Sequence, residues 1–283
     1  MSSVPNRSAG AITIPPFAIA YQPIVNVPAR RVAAYEALVR GPQGISYPQL
    51  VAGMDAATLR IFHHQAAEEA IGRAVALGLA ERNASLTINI LPDRDPDALN
   101  ARSIRELAQF YGLPVNRIIL ELTEDHHLSL AHLAELLGEN RAAGFVSAMD
   151  DFGAGYAGLT ALVDCRPDVL KLDRALIRDI DHSDAREKVV GAFVKVCQAL
   201  GMTLVAEGVE TLEECRKLRT LGIKYMQGFF FSKPVINALP RFEQCIGVHS
   251  AEPFRGRKKV EDSGIYVQPW PERDLITLQA KSA

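Results

Sequence analysis

The chain has 283 residues, 48% of them hydrophobic and 23% charged, and a formal net charge of −2. That is the composition of a globular protein with room for one large domain or two small ones. The near-neutral balance excludes the broad basic field expected of a partner for a nucleic-acid polymer.

The longest apolar runs are too short to cross a bilayer, so no membrane association is expected. The N-terminus lacks the basic and apolar regions of a signal peptide, and the expected location is cytoplasmic. Four cysteines (Cys165, Cys197, Cys215, Cys245) show no CxxC spacing. This argues against a zinc site or a disulfide framework.

In chain order, residues 1–16 are small, polar and proline-containing, and read as a flexible segment. Phe17–Val25 and Arg31–Val39 read as strands joined through a turn at Pro28–Arg30, close enough to pair antiparallel. Ala57–Leu77 reads as a helix. Helices then alternate with short β-rich strands, and Gly78, Gly112, Gly144, Gly201 and Gly222 mark helix ends, where a left-handed residue is expected. Thr211 and Glu214 have capping-box spacing. Ser183 or Asp184 starts a helix whose positions Val189, Val190, Phe193, Val194, Cys197 and Leu200 form one apolar face.

The later strands are Leu86–Ile90, Ile118–Thr123, Phe145–Asp150, Val169–Leu172, Thr203–Ala206 and Tyr225–Phe229. They are apolar nearly throughout, as strands covered on both faces are. With the opening hairpin they make eight, which suggests a (β/α)8 barrel. A doubly wound open sheet is the alternative, weakened by the lack of a GxGxxG after a first strand. From Ser250 onward the chain is polar, with a basic run (Arg255, Arg257, Lys258, Lys259) and the only tryptophan, Trp270. The expected division is 1–16, a barrel over 17–249, and a tail over 250–283.

In a barrel the carboxyl ends of the strands open on one face. Read in order, those ends supply Glu36, Asn89, Glu121, Asp150 with Asp151, Lys171, Glu207 and Gln227. Each has an ordinary structural reading. Glu36 suits a solvated hairpin, Asn89 a turn before Pro92, Lys171 and Asp173 a surface ion pair. Their convergence on one mouth does not. Adjacent carboxylates such as Asp150 and Asp151 repel by roughly 4 kcal/mol at about 4 Å and an effective dielectric of about 20. Oxygen ligands of this kind suit Mg2+ or Mn2+. Two such ions sharing Asp150 would serve in-line displacement at phosphorus, and Lys171 at the same mouth would hold or deprotonate the attacking water or balance charge. The spacing alone thus points to a metal-dependent phosphoesterase.

The motifs in sequence resemble the EAL-domain family of cyclic di-GMP phosphodiesterases. The name-giving motif stands as Glu36-Ala37-Leu38, preceded by Tyr21-Gln-Pro-Ile-Val25. The others are Asn89 in Ile88-Asn-Ile, Glu121-Leu-Thr-Glu124, Asp150-Asp-Phe-Gly-Ala-Gly-Tyr156, Lys171-Leu-Asp173, Ala206-Glu-Gly-Val-Glu210 and Gln227-Gly-Phe-Phe-Phe-Ser-Lys-Pro234. The resemblance runs from about Phe17 to about Cys245.

It implies a modified TIM (β/α)8 barrel whose first strand is antiparallel. It implies hydrolysis of cyclic di-GMP to linear pGpG with two Mg2+ or Mn2+ ions. By position, Glu36, Asn89, Glu121 and Asp150 are the expected ligands of one ion, and Asp150, Asp151 and Glu207 of the other. Lys171 is expected to hold the attacking water with support from Gln227. Gln22, Arg40, Glu210 and Pro234 are the expected substrate contacts, Arg40 being suited to a phosphate oxygen. Glu124 is expected to steady the Gly-rich loop after Asp151, and a homodimer through the neighbouring helices is implied.

Two departures stand out: Val39-Arg40-Gly41-Pro42 replaces the usual Leu-Arg-Trp ending, and Gly153–Gly158 lacks the usual loop hydroxyls. Neither removes a metal or lysine position. An effector that binds nucleotide without turnover, and another barrel metal-phosphoesterase, are the competing readings.

Overall fold

A computed structural model describes residues 14–91, 95, 97–123, 129–153 and 159–243. Glu124, Cys245, the loop from Ala154 to Gly158, the basic run and Trp270 lie outside these residues.

The elements in chain order are β1 (Ala18–Asn26), β2 (Arg31–Arg40), α1 (Tyr47–Val51), α2 (Ala56–Ala76), β3 (Ser85–Ile90), α3 (Ala101–Tyr111), β4 (Ile118–Thr123) and α4 (Leu130–Ala142). There follow β5 (Val146–Phe152), α5 (Leu159–Cys165), β6 (Val169–Leu172), α6 (Arg174–Ile177), α7 (Asp184–Leu200), β7 (Thr203–Ala206), α8 (Leu212–Thr220), β8 (Tyr225–Met226) and β9 (Val235–Ile236).

Strands β2 through β8 pair in sequence order, and β1 closes the ring between β8 and β2. The pairs from β2–β3 to β7–β8 are parallel, whereas β1 is antiparallel to both neighbours. The short turn at 27–30 dictates this, because a parallel return needs a crossover of a dozen or more residues. The fold is therefore the modified barrel with an antiparallel first strand. The short β9 adds to the free end of β1, pairing Val235 with Tyr21.

Local chemistry supports each junction. The side chains of Thr211, Ser183, Asp55 and Ser129 accept the first N–H groups of their helices, as N-caps do. All five glycines expected at helix ends have positive φ. Cys197 is buried, as its place on the apolar face of α7 predicts.

Strand alternation sorts the residues. One parity faces the helices and builds the main core, where Leu86, Leu120, Leu170 and Ala206 join Ile71, Leu137 and Val190. The other parity faces the barrel axis. There Ile24, Ala34, Ile119, Ala148, Val169 and Val205 form a separate apolar plug. Two residues further along their strands come Glu36, Glu121, Asp150, Lys171 and Glu207, so the plug is the floor of a polar mouth.

Two strand ends differ from the sequence expectation by more than one residue. β5 continues past Asp150 to Phe152, because its register against β6 shifts between Met149 and Phe152. β8 stops after two residues, because the chain turns at Gly228 to pass against Val209.

Candidate active site

Lys171 is 1% exposed, and its ammonium occupies the centre of the mouth. It lies 2.6 Å from Glu207 Oε1, 2.9 Å from Asp150 Oδ1, 3.0 Å from Glu121 Oε1 and 3.8 Å from Glu36 Oε2. Burial on its own pulls the lysine pKa down. The carboxylates of Asp150, Glu121, Glu207 and Glu36 outweigh it and hold the amine protonated well above its ordinary range.

The acids are pushed the other way. Burial raises Glu121 and Glu207 well above the carboxylate range, against the pull of Lys171 and with repulsion from Glu36 and Asp150. Burial, followed by the Asp150 charge, pushes Asp151 up to about 6. These are the marks of too many buried negative charges for one cation.

The carboxylates form two groups. One oxygen each from Glu36, Glu121 and Asp150 lie within 4.8 Å of one another, and so do one each from Asp150, Asp151 and Glu207. Asp150 is common to both. Strand alternation would send Asp150 and Asp151 to opposite faces. The bulge at the β5–β6 register shift, with Asp151 at φ 53°, lets both line the mouth. Bulges commonly re-aim side chains in this way.

Glu121 is fully buried; Lys171 lies 3.0 Å from its Oε1, while its Oε2 has no hydrogen-bond donor. Asn89 Nδ2 donates to Glu36 Oε1 at 3.4 Å, which leaves its amide oxygen for another partner. An all-oxygen donor set with such orphaned atoms fits hard divalent cations.

Gln227 Nε2 donates to Glu36 Oε2 at 2.5 Å and to Gln22 Oε1 at 3.0 Å. Gln22 Nε2 in turn donates to the Ser232 carbonyl at 3.0 Å. This chain of amides locks the Glu36 carboxylate from the side opposite Asn89.

The mouth opens as a two-lobed trough. One lobe, about 370 Å3, contains Gln22, Lys171, Glu207, Glu210 and Gln227. The other, about 300 Å3, is more apolar and contains Arg40, Tyr47, Phe62, Asn89 and Leu99. Glu36, Leu38, Asp150 and Asp151 border both.

The expected substrate residues are thus divided. Gln22 and Glu210 line the first lobe and Arg40 the second, while Pro234 sits half-buried just before β9 and lines neither. The first lobe also contains Phe229, which lies within the Gln227–Pro234 motif without an assigned role, and Arg174, which lies outside the sequence motifs. Arg174 directly follows the strand-end motif Lys171-Leu-Asp173, and that position is the signal the sequence offers for it.

An EAL domain model matches residues 8–234. The chain is 32% identical over 229 residues to the blue light- and temperature-regulated antirepressor BluF of Escherichia coli, covering 78% of this chain and 55% of that protein. It is 34% identical over 152 residues to the cyclic di-GMP phosphodiesterase RocR of Pseudomonas aeruginosa, covering 53% of this chain and 39% of that one. The chain spans about half or less of these relatives' length.

Among solved structures, a standalone EAL protein of Vibrio cholerae bound to c-di-GMP superposes with a TM-score of 0.73 at 33% identity, covering 80% of this chain and 94% of that one. The Klebsiella pneumoniae BlrP1 manganese/cy-diGMP complex superposes with a TM-score of 0.73 at 36% identity, covering 84% and 60%. With the family model running unbroken from the first strand to the end of the Gln227 motif, and the two acid groups assembled on the mouth of the same barrel, the chain belongs to the EAL domain family.

Proposed function

We propose that the chain hydrolyses one phosphodiester bond of cyclic di-GMP to give linear pGpG. The observation that carries this reading is the pair of carboxylate groups sharing Asp150 beneath a two-lobed trough. The names of its relatives and the nucleotide in its structural neighbours support the same reading.

Glu36, Asn89, Glu121 and Asp150 would hold one divalent ion, Mg2+ or Mn2+, and Asp150, Asp151 and Glu207 a second. Such ions activate water and offset charge on a leaving oxygen. Lys171 holds the attacking water in line with phosphorus. As the water oxygen bonds to phosphorus, the ester P–O bond breaks, and the water proton ends on the departing hydroxyl. Gln227 keeps the Glu36 carboxylate aimed inward. Arg40, with its planar fork, neutralises a phosphate oxygen, and Gln22 and Glu210 border the nucleotide, with Pro234 outside the trough. Glu124 steadies the loop after Asp151.

The catalytic unit is the barrel within residues 17–249, acting in the cytoplasm on a diffusible nucleotide. Among the described residues no helix is long and apolar enough to cross a membrane. A homodimer through α5 fits the exposure of Leu159 (61%) and Val163 (57%) on that helix.

The test is hydrolysis of cyclic di-GMP by purified protein with Mg2+, with Mn2+ and with chelator. Metal-dependent release of pGpG is expected. Tight nucleotide binding without turnover would overturn the enzyme reading in favour of an effector, a role in keeping with the antirepressor relative.

A further inference from the structure

Two residues belong only to the second acid group: Asp151 in β5 and Glu207 just after β7. The strand between them is β6. The chain directly after β6, residues 173–179 with α6 at their centre, is bonded or packed to both neighbours.

On the β5 side, the register shift leaves Asp150 and Asp151 in a bulge between the pairs Met149–Leu170 and Phe152–Leu172. The Asp173 N–H donates to the Phe152 carbonyl at 3.2 Å and closes that bulge. Leu176 covers the next residue, Gly153, so closely that a Cβ there would overlap its side chain.

On the β7 side, the Glu207 N–H donates to the Leu172 carbonyl at 3.0 Å. Arg174 Nη1 donates to the Gly208 carbonyl, and its Nη2 to Glu210 Oε2 at 2.7 Å. Glu214, a 2%-exposed carboxylate in the first turn of α8, completes the link. Its Oε2 accepts the N–H groups of Glu210 at 2.8 Å and Thr211 at 3.2 Å, and its Oε1 accepts that of Asp179 at 3.0 Å. One buried carboxylate thus ties the loop after β7 to the segment after β6. None of these contacts involves Glu36, Asn89 or Glu121, which come from β2, β3 and β4.

Metal affinity depends on groups behind the ligands that fix their orientation. We propose that residues 173–179 brace the second metal site by holding Asp151 and Glu207 at a fixed separation, and that Leu176 and Glu214 are positioning residues for the ion bound there. Neither side chain is itself a ligand. The first ion's group shares only Asp150 with the braced region. The inference rests on the two-ion reading above and deepens it.

The test titrates Mn2+ into the metal-free protein and follows the free ion by electron paramagnetic resonance. Wild type should take up two ions, one for each acid group. Glu214→Gln keeps one oxygen for Glu210 and Thr211 but turns an amide donor toward the Asp179 N–H. It cuts the link and retains the α8 cap. Leu176→Ala uncovers Gly153. Each variant should weaken one Mn2+ site about tenfold and leave the other within about threefold. Half-saturation of hydrolysis should need about tenfold more Mn2+, with kcat at saturation within about threefold of wild type. Leu176→Met refills the space and should bind as wild type does. Asp55→Ala removes the N-cap of α2 and should change neither site.

Equal weakening of both sites overturns the inference. So does unchanged Mn2+ binding with a lowered melting temperature, which reduces Glu214 to a cap for α8. A wild-type protein that takes up fewer than two ions overturns the two-ion reading and the inference with it. One that binds two ions, loses one in both variants and hydrolyses no cyclic di-GMP overturns the proposed activity and upholds the brace.

Discussion

The Lys171 ammonium lies 2.9 Å from Oδ1 of Asp150, the residue common to both carboxylate groups. The lysine is thus the internal counter-cation of the acids that would hold metal. Removing it by Lys171→Met leaves Glu36, Glu121, Asp150 and Glu207 without a neutralising partner. Breaking a buried pair of this kind costs about 3–5 kcal/mol when the remaining charge cannot escape. Here the acids can take up protons, which moderates the loss. The melting temperature in chelator should fall, and saturating Mn2+ should restore much of it. Hydrolysis should fall about 100-fold or more and should not return with the metal. A variant that melts normally in chelator would show that Lys171 does not balance these charges.

Asp150 and Asp151 are neighbours in sequence but not equals in the site. Asp150 belongs to both acid groups, Asp151 to one. Asp150→Asn should therefore abolish measurable hydrolysis and weaken stabilisation by Mn2+, while Asp151→Asn retains a metal response. Asn also tolerates the positive φ at position 151, so neither change should disturb the barrel. Thermal shift against Mn2+ concentration separates the two. Equal responses would remove the distinction drawn from the geometry.

The raised carboxyl pKa values set the pH dependence. Asp151 titrates at about 6 in the folded protein against 3.8 in the reference state, and Glu121 and Glu207 are also raised. Between these values the folded protein holds protons that the unfolded chain has released. Stability of the metal-free protein must then fall as pH rises through this window. Divalent cations bind the deprotonated groups, so the stabilisation they add should grow over the same range, and activity should rise through about pH 6. Melting curves from pH 4 to 7, with chelator and with Mn2+, should diverge as pH increases. Parallel curves would mean that the acids are not coupled to metal.

Much of this arrangement is legible in the amino-acid sequence. The bounds of β4, β6 and β7 match the sequence reading residue for residue, because turn residues flank each apolar run. The mouth is legible for the same reason: a side chain two positions beyond the apolar plug in an inward-facing register must line it. Other features depend on contacts distant in sequence. Arg174 finds its partners in the Gly208 carbonyl and Glu210, more than 30 residues later. The bulge that turns Asp151 inward arises from a register shift against β6, which no local pattern encodes. β9 exists only because β1 offers it an edge.

Two glycines make opposite predictions. Gly228 lies directly after Gln227, and a Cβ there would overlap the backbone of Val209. That close approach carries two hydrogen bonds, Val209 N–H to the Gln227 carbonyl and Phe230 N–H to the Val209 carbonyl, each 2.9 Å. They hold the Gln227 strand end against the loop bearing Glu207 and Glu210. Gly228→Ala should force the two apart. The expected cost is about 1–3 kcal/mol of overpacking, and a displacement near 1 Å at Gln227 should cost about 100-fold in kcat. Gly138 lies in the interior of α4, and a methyl group added there would meet nothing within 4 Å. There Gly138→Ala should stabilise by about 0.5–1 kcal/mol through helix propensity, with kcat unchanged. Denaturant melts and initial rates on the two variants measure both effects. If Gly228→Ala kept full activity, the packing of Gln227 against Val209 would have no part in holding the site.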